Sequence, residues 1–197
     1  MSSTRRDLIK SAAIAAVLGS LDTVSAQHVH QAAAEDAKAT GGVYKPKGLN
    51  AHEYKTLVRL ADLVIPADEI SKGAVEAGAP QFIDLLCSQA SEMSAIWTGG
   101  IGWMDHQMMK HHNTTWVEAK PEEQSALLDL IAYRKNMNAE TGPGIRFFEW
   151  ARNMVLDGFY TSPIGVKDVG YLGNKGMTTF QVPAAAIDYA VKRSGLG

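Results

Sequence analysis

A chain of 197 residues, 46% hydrophobic and 20% charged, has the make-up of one globular domain, long enough to bury a core without disulfides or a structural metal. A formal charge of −2 gives no electrostatic reason to expect nucleic acid as a partner, since such proteins carry a dense basic face. With one cysteine, an intrachain disulfide, a CxxCH haem attachment and a multi-cysteine zinc site are all excluded; Cys87 lies in the apolar run FIDLLC and reads as a small core thiol.

Residues 1–26 read as an export leader. Arg5 and Arg6 in SSTRRDLIKS, followed by Leu8 and Ile9, resemble the twin-arginine (Tat) consensus, and the modest hydrophobicity of AAIAAVLGSL suits that route. Val24-Ser25-Ala26 then supplies small residues at the −3 and −1 positions of a signal peptidase site, with cleavage after Ala26. A membrane-anchoring helix is the competing reading, but Asp22 interrupts an apolar run already too short to span. The expected destination is the periplasm. Removing three basic and two acidic residues takes the formal charge from −2 to −3. Tat cargo is exported folded, often with a cofactor inserted, so the leader implies a cofactor in this chain or in a partner.

Residues 27–49, rich in Ala, Gly, Lys and His and ending in GGVYKPKG, are expected to form an extended arm or linker. Residues 50–197 are expected to form one helical domain. Asn50 is a plausible N-cap for a helix over 51–65, carried by Tyr54, Leu57, Val58, Ala61 and Val64 and stopped by Pro66. Ala79-Pro80 opens a second helix through Phe82, Ile83, Leu86 and Ala90. Over 94–112 an apolar face persists through Ile101, Trp103, Met104 and Met108, yet Thr98-Gly99-Gly100 predicts a break. Pro121-Glu122-Glu123 starts the next helix, through Leu127, Leu128 and Ile131. After Gly142-Pro143-Gly144, the spacing of Ile145, Phe148, Ala151, Val155 and Leu156 predicts a helix ending near Gly158. A last one covers Ala184–Arg193. With no alternating strand pattern and no repeat, the fold class is all-α: an irregular bundle of five or six helices with an extended N-terminal arm and a structured C-terminal loop.

Few residues stand out for chemistry. His106, His111 and His112 cluster near Asp105, but match no ligand motif, and adjacent histidines on a helix diverge by about 100°. A partly exposed polar edge explains them. His28 and His30 lie in the arm. The Met and Trp residues of 93–109 could line a hydrophobic or quinone groove, although such spacing more often marks core. No GxGxxG follows a strand, and neither a phosphate loop nor GxSxG is present. No catalytic, cofactor-binding or metal-binding residue is therefore assigned.

The segment from Asp157 to Asn174, DGFYTSPIGVKDVGYLGN, resembles the signature of the gluconate 2-dehydrogenase subunit 3 family, as does ADLVIPAD at 61–68. The resemblance covers roughly residues 50–175. It implies a small subunit bound to a large FAD-containing oxidoreductase of the glucose-methanol-choline type, acting on gluconate, other polyols, sugars or glucosides. A cytochrome c carrying haem c often takes the electrons in that arrangement. The small subunit supplies the export signal and chaperone-like support for its partner. Phe159, Tyr160, Pro163, Asp168, Tyr171 and Asn174 are the candidate partner-contacting residues; the alternative is that the segment only holds the C-terminal loop on the bundle. A rival role is direct help to catalysis, with Trp103, His106 or Tyr160 lining the sugar site or the electron path. Paired cysteines of some relatives are absent, so no staple of that kind carries over.

Overall fold

The computed structural model describes residues 23–39, 41–69, 71–170 and 182–194, all helix, turn or loop, with no strand among them. Its helices are α1 Thr23–Ala39, α2 Ala51–Val64, α3 Ala79–Gln89, α4 Ser91–His112, α5 Pro121–Ile131, α6 Gly142–Tyr160, α7 Pro163–Asp168 and α8 Ala184–Ser194, with single 3-10 turns at Trp116–Glu118 and Arg134–Asn136. α3 and α6 form the centre: α3 packs against α1, α2, α4 and α6, and α6 also meets α2, α4, α5 and α7. Leu57, Leu60, Phe82, Ile83, Trp97, Ile101, Met104, Ile145, Val155 and Phe159 fill the space between them. No helix among the described residues is long and apolar enough to cross a membrane.

Local rules account for most boundaries. The Asn50 side chain accepts from the Glu53 amide at 2.9 Å, and the Glu53 carboxylate accepts from the Asn50 amide at 2.9 Å, a reciprocal cap that fixes the start of α2. That helix ends at Val64, because the residue before Pro66 is pushed out of helical geometry. Gly78, at φ +81°, turns the chain into α3 with Pro80 in its first turn.

Three stretches depart from expectation. Most of the presumed arm is helical: Ala26, Val29 and Ala33, spaced three and four apart, form a narrow buried stripe in α1 that lies along α3. Alanine buries well and favours helix, but offers so little hydrophobic contrast that the stripe makes no visible period in the sequence. The remainder, from 41 to 49, is turn, coil and bend. α4 runs unbroken from Ser91 to His112, through the Thr98-Gly99-Gly100 site of the expected break. The reason is packing: a methyl on Gly100 would fall within the Phe147 ring, and one on Gly144 within the indole of Trp103, so α4 and α6 each offer a glycine socket to the other's aromatic side chain. Trp97 fixes the same crossing, edge-on to Phe147 and Trp150 with centroids 5.5 Å away. Lastly, α6 begins at Gly142, absorbing the Gly-Pro-Gly stretch; the Asn138 side chain accepts from the Glu140 and Thr141 amides just ahead of it.

The coil that leads into α2 is held by one buried acid. Asp84 of α3, fully buried, accepts from the Tyr44 hydroxyl at 2.8 Å and from the backbone amides of Lys47, Gly48 and Leu49 at 2.7, 3.1 and 2.8 Å. Gly48 has to be glycine there, since a side chain would run into the Ser88 amide and the Asp84 carbonyl. Burial, together with the nearby Asp84 and Glu53 carboxylates, pushes the Cys87 thiol up to about 12, in keeping with a core residue.

Candidate partner interface

The signature segment begins in the last turn of α6. Gly158 brings α6 close to α3, its absent side chain leaving a methyl only 3.0 Å from the Ala79 Cβ. Beyond it, consecutive aromatics diverge: Phe159 is 1% exposed and belongs to the core, whereas Tyr160 is 43% exposed, its ring edge-on to Phe159 at 4.9 Å. The chain then turns sharply. Thr161 Oγ1 donates to the Asp157 carbonyl, and buried Ser162 donates from Oγ to the Phe159 carbonyl at 2.6 Å while accepting from the Gly165 amide at 3.0 Å, which caps α7. Gly165 is required because a methyl there would collide with the Phe159 carbonyl. The expected structured loop is thus a corner locked from within and continued by one short helix.

Of the candidate contact residues, Phe159 is corrected to a core residue, since its ring is enclosed by the bundle and cannot meet a partner. Tyr160, Pro163 and Asp168 lie on the surface, joined by Val169 at 59% exposure. Tyr171 and Asn174 lie outside the described residues, as do Arg5 and Arg6. Ala26 is described, and is buried.

Behind the corner, α1 closes a groove of about 540 Å³ whose walls include His30, Ala34, Gln81, Thr161, Pro163 and Val166. His30 joins the two sides: its ring stacks on Phe82 with centroids 4.7 Å apart, and its Nε2 lies 3.1 Å from Thr161 Oγ1. Burial lowers the His30 pKa from 6.5 to about 4, against an opposing hydrogen bond with the Gly158 backbone. The unfolded chain therefore takes up this proton first as pH falls: the stability that neutral His30 secures is whole above pH 6.5 and lost progressively towards pH 4. Thermal melts between pH 7 and 4 should fall more steeply for the native chain than for His30→Gln.

Other expected features are dispersed. His106, His111 and His112 are exposed; His112 Nδ1 lies 3.2 Å from Glu123, and Lys110 pairs with Glu140 at 2.7 Å. Among the described residues no group of three or more His, Cys, Asp and Glu side chains is placed to hold a metal ion. Trp103 is occupied in the Gly144 socket, and Met93, Met104 and Met108 are core, leaving Met109 as the exposed methionine of that helix. One pairing had no signal in the sequence: His52 Nε2 lies 2.6 Å from Asp105 Oδ2, while Asp105 Oδ1 accepts from the Trp116 amide at 2.8 Å. The partners are 53 residues apart, beyond any local motif.

Comparison with known proteins adds one finding. The family model described as gluconate 2-dehydrogenase subunit 3 matches residues 51–178, a span that begins with α2 and runs past the corner. No curated protein and no solved structure matches the chain.

Proposed function

Since this chain belongs to the gluconate 2-dehydrogenase subunit 3 family, we propose that it is the non-catalytic small subunit of a periplasmic, flavin-dependent sugar, polyol or glucoside dehydrogenase, supporting the folding, stability and Tat export of its partner. The family match carries this reading, because a subunit so described is one part of a larger dehydrogenase. In this reading FAD belongs to a large partner of the glucose-methanol-choline type, haem c to a cytochrome acceptor, and no chemical step is routed through this chain. The leader supports the export role: a folded partner without a signal of its own would cross the membrane as a passenger. The exposed side of the corner supports the docking role, since Tyr160, Pro163, Asp168 and Val169 stand on a backbone that internal hydrogen bonds already hold rigid.

A tagged copy recovered from its native periplasm should bring down a larger protein with a flavin absorbance spectrum; a colourless lone chain, or stoichiometric flavin on the isolated chain, would contradict the proposal. Tyr160→Ala combined with Asp168→Lys should weaken that co-purification by at least about tenfold while leaving the melting temperature unchanged, as both side chains are exposed. Replacing Arg5 and Arg6 together by lysine should leave the complex, flavin subunit included, in the cytoplasm. Normal periplasmic activity of that variant would argue against the Tat route.

A further inference from the structure

Leader removal needs the bond after Ala26 to enter a peptidase, and the fold puts that bond in an awkward place. α1 starts at Thr23, so the Ala26–Gln27 peptide lies inside the helix. Ala26 is 0% exposed, and the next turns of the same face, Val29 and Ala33, are buried too. His30 adds the stack on Phe82 and the bond to Thr161, so the first half of α1 is fastened to both α3 and the corner.

A peptidase that reads the −3 and −1 side chains together requires them on one side of the backbone. Residues two apart share a face in an extended strand, but in a helix they point about 200° apart. A bond inside a helix is not in that extended form, so the start of α1 has to unwind, and Ala26 cannot be reached until α1 lifts from α3. Proteolysis of a protected site then follows the population of the locally opened state.

We propose that docking of α1 on α3 latches the Ala26–Gln27 bond, so that leader removal is limited by the lifting of α1 and the folded subunit keeps its leader until that happens. The step itself is ordinary hydrolysis: water supplies a hydroxyl to the Ala26 carbonyl carbon and a proton to the Gln27 nitrogen as the amide bond breaks. The latch works as a timer. A subunit that has folded, and is ready to gather its partner, retains the signal needed for export of both. This inference rests on the reading of residues 1–26 as an exported leader.

The test compares three substrates of purified signal peptidase in detergent: the folded full-length chain, a full-length Val29→Asp/Ala33→Asp variant, and a synthetic peptide of residues 1–36 that has no bundle to dock on. Mass spectrometry locates the cut. The peptide should be cleaved before Gln27, the folded chain at least about tenfold more slowly, and the variant at a rate approaching the peptide's. A thermal melt confirms that the variant's bundle is intact, and hydrogen exchange confirms that its α1 amides are open. Equal rates for peptide and folded chain would overturn the latch, as would a variant with open α1 amides that is cut no faster than the native chain. A peptide left uncut before Gln27 would remove the cleavage site and the latch with it, while the subunit reading would still be judged by the co-purification.

Discussion

Asp84→Ala is expected to destabilise the protein by about 3–5 kcal/mol, because three backbone amides and the Tyr44 hydroxyl would lose their acceptor at a buried site. Each such group costs about 1–3 kcal/mol when left unsatisfied, but the costs do not add fully, since the segment around Lys47 can draw back and rehydrate. At this chain length the loss corresponds to a fall in melting temperature of roughly 10 °C. Asp84→Asn should be nearly as harmful: it keeps the shape, but one of its two acceptor oxygens becomes an amide that faces donors. Thermal or urea unfolding of both variants provides the measurement. A loss below about 1 kcal/mol for Asp84→Ala would mean that the coil before α2 is held by something else.

Alanine substitutions along α4 should differ in sign with position. At Gly100 the new methyl meets the Phe147 ring, which Trp97 braces from the side, so Gly100→Ala should cost about 1–3 kcal/mol despite alanine's better helix propensity. Gly99 and Gly102 have nothing within 4 Å of where a methyl would sit, and alanine at either should instead stabilise by up to about 1 kcal/mol. Urea unfolding of the three single variants, compared at equal slope, decides the matter. If all three moved stability in the same direction, propensity rather than the interlocked crossing would govern α4.

These two sites also mark where a reading of the sequence stops. Large apolar side chains at helical spacing gave away α2, α3, α5 and α6 to within a few residues, and Asn50 and Pro121 announced their helices by known capping chemistry. α1 escaped because its buried face is made of alanine and one valine. The glycines in α4 looked like a break because their cost is local and visible, while the compensating ring of Phe147 comes from a residue 47 places later in the chain. The Asp84 nest is equally non-local: Asp84 sits in an apolar helix with nothing nearby to suggest that its partners are amides 35–37 residues upstream. At the candidate interface, DGFYTSP correctly signalled the end of a helix and a turn. Which of the two adjacent aromatics faced inward depended on the rotation of α6 about its axis, set by Gly158 against Ala79.

The Asp84 nest bears on where this protein begins as a physical object. The residues recognised as the family start at 51, yet Tyr44, Lys47, Gly48 and Leu49, which complete the shell of a fully buried carboxylate, all come before that point. Inheritance and self-sufficiency thus draw different borders. A fragment cut to the family span would contain every helix from α2 to α7 and still enclose an ion whose counterparts had been left on the other piece, so the smallest unit able to stand alone reaches back at least to Tyr44.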